Sequence, residues 1–429
     1  MPRSPNCRWR SSTVLNRFLL ALAAGLLLAT LGGRPVQRPV PAPPPVFPQE
    51  LASVRLLAVG DILMHQDVQR AAREAESGLR ALWADVEPLI QGADIAFANL
   101  ETPVAPTSGV PGRPFMFNGP PELPAALRAS GFTVLSTANN HAYDQGVAGV
   151  VETLRRLREE NMVAVGTGAT RAEAEQLRVV QVKGLRVGFL GFTDLYNINL
   201  NAKDGGPWVR GLDPAAAAEA VRAARPLVDV VVVSIHWGVE YQHDPLPRQR
   251  EVAGKLCQAG ADLILGTHPH VLQPVEWLVQ GGNRTLVAYS LGNFVSNQDR
   301  MYLPDLFKVN GGDSRDGVAL QCRLVKRRLA DGTERVTVED PVCEPLWNLN
   351  NWREFMAGQA KRRVIRVLWV NSAIAAAQAQ LERAGETRGT RDLLDTLLLR
   401  RERASESLGA TFVHQGAIST SRLEPTLTP

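Results

Sequence analysis

The sequence predicts an α/β protein, and three observations carry that expectation. Short apolar runs that read as strands alternate with helical stretches from Val54 to Phe294. One run, Val228 to Ile235, is the most apolar of all, with four consecutive valines at its centre, as a buried strand is. Turn signals at Lys183-Gly184 and Ala330-Asp331-Gly332 add antiparallel hairpins.

Composition excludes some functions. The 429 residues are 45% hydrophobic and 21% charged, ordinary for a globular chain long enough to bury a core. A net charge of +4 is small, and the basic excess gathers towards the two ends, so nucleic acid is not an expected partner. The four cysteines form no Cys-x-x-Cys pair, which argues against a thiolate zinc site. Cys322 and Cys343 flank the Gly332 turn; they either pair across that hairpin or stay free thiols.

Taken in order, Arg3, Arg8, Arg10 and Arg17 precede an almost unbroken apolar run from Phe18 to Leu31. A basic start before such a run is an export signal. Ala29-Thr30-Leu31 is a poor cleavage site, so residues 1–33 are expected to form an uncleaved signal anchor, with everything after it outside the cytoplasm. Residues 34–50 are proline-rich and read as a stiff spacer. The main domain is expected over 51–345. Its strands are Val54–Val59, Asp94–Ala98, Thr133–Thr137, Val163–Val165, Val228–Ile235, Ala261–Leu265 and Leu286–Tyr289. Lys183-Gly184 joins a hairpin of Val179–Val182 and Val187–Phe192. Helices are expected over Val68–Glu76, Leu79–Gln91, Pro121–Ala129, Gly146–Glu160, Asp213–Arg225 and Pro247–Gln258. A long loop, Thr102 to Pro121, carries Arg113, Phe115 and Phe117; such loops are often functional. Residues 346–429 are expected to be a helical appendage (Trp352–Val370, Ser372–Ala384, Arg391–Glu402) with a disordered tail.

Five strand-like runs end on polar side chains: Asp61; Asn99 and Glu101; Asn140 and His141; His236; and His268 with His270 in Gly266-Thr267-His268-Pro269-His270. Each has a bland explanation alone. Asp61 could cap a helix, Glu101 could be an exposed loop acid, Asn140 suits a turn and His236 could bond within a core. Five such coincidences are less plausible than one site, because ligands gather at the carboxyl ends of strands in α/β sheets. The mixed oxygen and nitrogen set suits two divalent ions, Mn, Fe or Zn. Asp61, Glu101, Asn140, His236, His268 and His270 are the candidate metal ligands, with Glu101 placed to bridge. His141 and Asn99 are the candidate catalytic residues, His141 as general acid for a leaving oxygen.

The order Asp, Glu, Asn-His, His, His-x-His resembles the calcineurin-like metallophosphoesterase superfamily. Within it, Val59-Gly60-Asp61, Asn99-Leu100-Glu101, Asn139-Asn140-His141, His236-Trp237-Gly238, the His268 loop and Ser290-Leu291-Gly292-Asn293-Phe294 resemble the CapA family of poly-γ-glutamate capsule proteins, over about residues 54–300. That resemblance implies a four-layer αββα sandwich, a two-metal site and an envelope-bound protein that handles an anionic γ-linked polymer. The chain departs from the superfamily pattern. Asp-x-His is missing, and His65, the next histidine after Asp61, reads as a helix-start residue. Glu101 stands where an aspartate is usual, and Thr267 intervenes after the glycine of the last motif. His243 and His414 match nothing and read as surface residues.

The leading expectation is therefore a membrane-anchored capsule protein with a dinuclear site. Arg113 would contact the polymer, and a membrane capsule synthase would be a possible partner. The alternatives are an extracytoplasmic phosphoesterase and a non-enzymatic partner of that synthase.

Overall fold

A computed structural model describes residues 47–201, 205–302, 311–384 and 388–414. The expected signal anchor, nearly all of the proline-rich spacer and the C-terminal tail lie outside these residues. Among the described residues no helix is long and apolar enough to cross a membrane.

The strands, in chain order, are β1 (Gln49–Ile62), β2 (Ile95–Leu100), β3 (Val134–Ser136), β4 (Val163–Val165), β5 (Thr167–Gly168), β6 (Arg178–Val182), β7 (Leu185–Thr193) and β8 (Trp208–Val209). They continue as β9 (Val230–His236), β10 (Leu263–Thr267), β11 (Val275–Gln280), β12 (Asn283–Ala288), β13 (Asn293–Val295), β14 (Asp316–Arg328), β15 (Glu334–Asn350) and β16 (Ile365–Trp369). Two sheets stack. One runs β16-β15-β14-β1-β2-β3-β4, with β13 also on β1; the other runs β11-β12-β10-β9-β7-β6.

Alternation of side chains explains the layers. Val54, Leu56 and Ala58 of β1 point into the core between the sheets, where they meet Val187, Phe189, Val230, Val232 and Leu263. Leu57 and Val59 point the other way, onto the helices Gln66–Glu74, Leu123–Ser130 and Gly146–Glu159. Across the molecule, Val231, Val233 and Ile235 meet the helices Pro214–Ala224 and Pro247–Ala259. The order is helix, sheet, sheet, helix, a mixed α/β sandwich. Strands buried on both faces are apolar at nearly every position, which is why β9 opens with the unbroken run Val230–Val233.

The β6–β7 hairpin turns at Lys183 and Gly184, whose φ angles of 47° and 80° both lie in the left-handed region that a two-residue hairpin turn of this hand requires. The helix Pro214–Ala224 is capped by Asp213, whose carboxylate accepts from Ala216 N–H at 2.8 Å.

Two expectations are corrected. Residues 352–370 are not one helix: only Trp352–Met356 is helical, and Ile365–Trp369 is β16, paired antiparallel to β15. The boundary drawn after 345 also falls inside β15. A five-residue run, Ile365-Arg366-Val367-Leu368-Trp369, is too short for periodicity to separate strand from helix; the open edge of β15 decides it. Of the two readings left open for Cys322 and Cys343, the structure has the free thiols: both are unbonded and buried between the sheets. The β14–β15 register sets Cys343 opposite Leu320 and breaks between Gln321 and Arg323, leaving Cys322 at an irregularity.

The last two helices, Val370–Ala384 and Arg388–Leu408, pack on β15 and β16 through Trp347, Leu368, Ile374 and Leu397. Arg400 anchors them. Its guanidinium is 2% exposed, and it donates to Asp316 Oδ1 at 2.9 Å, to Asp313 Oδ1 at 2.6 Å and to Gly311 O at 3.1 Å. Removing it strands a buried carboxylate. Arg400→Ala is expected to cost roughly 3–5 kcal/mol of unfolding free energy, read by urea denaturation. A loss under about 1 kcal/mol, the value of an exposed pair, would show the network is solvated.

Candidate metal centre

The carboxyl ends of β1, β2 and β3 in one sheet and of β9 and β10 in the other meet along one edge of the sandwich. β14 accompanies β1 as far as Ala58, and β13 then takes its place, so that Asp61 sits between Asn99 and Asn293. This substitution demands close backbone approach: Asp61 N–H donates to Gly292 O at 3.0 Å, and a Cβ on Gly60 would fall 1.8 Å from that oxygen.

All six candidate ligands are buried and converge. Two groups of ligand atoms each lie within 4.8 Å of one another: Glu101, His236 and His268; and Asp61, Glu101 and His270. Glu101 belongs to both. Asn140 joins the first, its Oδ1 being 2.9 Å from His236 Nε2. Both histidines adopt left-handed φ, 99° at His268 and 58° at His270, a strain of roughly 1–3 kcal/mol each that the surrounding packing must hold.

Neighbouring groups set the rings. His270 Nδ1 lies 3.0 Å from Asn293 Oδ1, and Asn293 Nδ2 donates to Ser314 O at 2.7 Å and to Gln298 Oε1 at 2.8 Å. The amide orientation is thereby fixed, His270 Nδ1 is the protonated nitrogen, and Nε2 keeps its lone pair. His236 Nδ1 lies 3.0 Å from the Thr267 hydroxyl, which can accept from or donate to it, so either tautomer is satisfied. Asn99 Nδ2 donates to Asp61 Oδ1 at 2.8 Å and is itself positioned by Asn139, whose Nδ2 lies 3.2 Å from Asn99 Oδ1. Asn99 thus holds a candidate ligand in place.

The electrostatics show a site short of positive charge. Burial, and then the neighbouring Asp61 carboxylate, push the Glu101 carboxyl well above its ordinary range. Burial, and then His268, hold His236 well below its ordinary value. Burial, and then His270, lower His268 to about 4. Among the described residues, Asp61 and Glu101 pair only with histidines, not with a lysine or arginine. Glu101 Oε1 and His268 Nδ1 are buried without a hydrogen-bond partner. Orphaned acceptors, two carboxylates and neutral imidazoles form a donor set that divalent cations fit.

His141 stands beside the groups without belonging to them. Its Nδ1 lies 2.7 Å from Asp144 Oδ2, which also accepts from Phe117 N–H at 2.6 Å. The Asn197 amide nitrogen is 3.4 Å from His141 Nε2. His65 precedes the helix Gln66–Glu74, as its sequence position suggests, and packs edge-on against Phe117, with ring centroids 4.9 Å apart. His243 and His414 are not plain surface residues: both are half-buried, and His243 bridges Asp313 Oδ2 at 3.1 Å and Leu272 O at 3.2 Å. Arg113 is exposed and outside the centre, its guanidinium against the Met116 sulfur. It lines a groove of about 630 Å³ with His65, Phe117, Tyr241 and Arg300. Phe117 and Tyr241 also touch His141 and His270, with centroids 4.4 Å and 6.3 Å apart, so the groove opens beside the ligands. A larger cavity of about 870 Å³ lies behind the long loop and holds none of the candidate ligands.

A family model described as bacterial capsule synthesis protein PGA_cap matches residues 55–298, which contain every one of these ligands. The chain belongs to this family. The PGA biosynthesis protein CapA of Bacillus subtilis (strain 168) is 37% identical over 243 residues, 56% of this chain and 62% of that protein. The chain therefore spans about three fifths of that relative's length. The capsule biosynthesis protein CapA of Bacillus anthracis is 33% identical over 288 residues, 65% of this chain and 68% of the relative. Among solved structures, a 5'-nucleotidase precursor from Thermus thermophilus aligns with a TM-score of 0.39 and 14% identity over 67% of this chain and 54% of that one, a likeness too slight to argue from.

For this PGA_cap chain, sequence reasoning missed Asp144, Asn293, Asn139, Thr267 and Asn197. Asp144 had a signal, three residues after His141 in a turn. Asn293 lay inside a quoted motif without a role.

Proposed function

We propose that this PGA_cap protein acts on an anionic capsule polymer outside the cytoplasm, through a dinuclear metal centre, held to the membrane by residues 1–33. The observation that carries the reading is Glu101: a buried carboxylate with an unpartnered oxygen, shared by two ligand groups. Asp61, Glu101 and His270 would hold one ion, and Glu101, Asn140, His236 and His268 the other. A bound pair of divalent ions supplies an ionised water and neutralises charge on an oxyanion. The chain's own residues do the rest. Asp144 fixes the His141 ring through Nδ1, leaving Nε2 for proton transfer to the leaving group, the amide nitrogen of a γ-linked polymer or the ester oxygen of a phosphoester. The groove beside it offers Arg113 and Arg300 to polymer carboxylates. Poly-γ-glutamate is the substrate that the Bacillus relatives suggest, with a membrane synthase as partner.

Elemental analysis of the full chain is expected to find about two transition-metal ions, alongside turnover of a γ-linked glutamate polymer. His141→Ala should then slow turnover by about 10²–10⁴-fold with metal content unchanged, and Asp144→Asn by less. Folded chain that takes up no metal under replete conditions would sink the proposal. The His141–Asp144 pair equally suits a phosphoesterase; turnover of p-nitrophenyl phosphate esters without polymer turnover would favour that reading. Undiminished capsule function in His141→Ala would point to a non-enzymatic role.

A further inference from the structure

We infer that Glu240 is a third carboxylate of the metal centre, the solvent-side ligand of the ion on the Asp61 side; this rests on the two-metal reading above. The two ligand groups are unequal. One gathers Glu101, His236, His268 and the Asn140 amide oxygen, and the other only Asp61, Glu101 and His270. His65, the next histidine after Asp61, does not make up the number. Its Nδ1 faces the Asn297 N–H at 3.4 Å, and among the described residues it joins no ligand group.

Glu240 does join one. A carboxylate oxygen of Glu240 and a nitrogen each of His268 and His270 lie within 4.8 Å of one another. The backbone puts it there by construction. The loop leaving β9 turns at Gly238, φ 92°, and at Tyr241, φ 64°. Tyr241 N–H then donates to Pro269 O at 2.8 Å, pinning Glu240 beside the residue that separates the two histidines. His268 is 6% exposed, and its Nδ1 has no partner. A carboxylate beside two buried imidazoles, one of them His270 of the Asp61 side, is an arrangement that a cation completes. Glu240 differs from Asp61 and Glu101 in being exposed. It can stay in water when no ion is bound, and it is the ligand that an incoming substrate oxygen can displace. With Glu240 counted, each side of the centre has four protein donors.

The test titrates metal-free full chain with Co²⁺, whose visible absorption reports coordination, and counts bound ions by elemental analysis. In wild type, two ions are expected. In Glu240→Ala and Glu240→Gln, one binding step should weaken by about tenfold or more with an altered cobalt spectrum, while the other step stays as in wild type. Glu240→Asp should restore part of the loss, and His236→Ala should weaken the other step instead. Because Glu240 is exposed, circular dichroism should show its variants folded. Two unchanged steps in Glu240→Ala would overturn the assignment and leave the two-metal centre standing. A wild-type chain that binds no Co²⁺ would bring down both.

Discussion

Glu101→Ala is expected to strip both ions of the proposed centre, because Glu101 is shared by the Asp61 group and the His236 group. Residues that merely orient a ligand cost 10–100-fold in affinity, so losing a shared ligand should cost more than about 100-fold at each step. The isosteric Glu101→Gln should do the same while leaving the metal-free fold no weaker. The sign follows from protonation. Burial and Asp61 raise the Glu101 carboxyl in the fold, so above its unfolded value near 4.5 folding must either take up a proton or bury a repelled charge. Stability contributed at low pH is lost as pH rises. Glutamine removes that penalty. Urea denaturation at pH 7.5 in a chelator, beside elemental analysis, checks both halves. If Glu101→Gln held both ions as wild type does, or weakened the metal-free protein by more than about 2 kcal/mol, the carboxylate would be structural.

The second large effect is acid sensitivity of the metal-free protein. Burial, and then His270, hold both His65 and His268 down at about 4, and burial, and then His268, hold His236 well below its ordinary value. These groups are neutral in the fold and charged in the unfolded chain below about 6.5. Stability present above 6.5 is therefore lost as pH falls towards the folded values, by roughly 3 kcal/mol per fully shifted histidine. The raised carboxyls of Glu101, Asp262 and Asp316 run the other way and offset part of this fall. Thermal melts from pH 7.5 to 4.5 should show a steep fall, shallower by about one proton in His65→Gln. A flat profile would mean that the imidazoles are solvated in the fold.

Much of the centre was legible because its residue types are distinctive and strand ends are where such residues gather. Asp61, Glu101, Asn140, His236, His268 and His270 could be picked out one strand at a time. Asn293 could not, since it reaches Asp61 only because β13 replaces β14 beside β1 at Ala58. Glu240 reads as an ordinary loop acid until the Tyr241–Pro269 hydrogen bond folds its loop over the histidines. Asn99 was legible as a polar strand-end residue, but its hydrogen bond to Asp61 appears only in the fold. β16 failed for a different reason: a short run has no character of its own, and its neighbour supplies it.

The family match ends at residue 298, but the support of His270 does not. Asn293 is held by Ser314 O, Ser314 lies between Asp313 and Asp316, and both aspartates are gripped by Arg400 near the end of the last helix. Asp313 also reaches His243, in the loop that carries Glu240. The part of the chain with no ligand of its own thus works as a tensioner on the part that has them all. Transplanting residues 55–298 onto another C-terminal region would carry over the candidate ligands without what keeps them aimed.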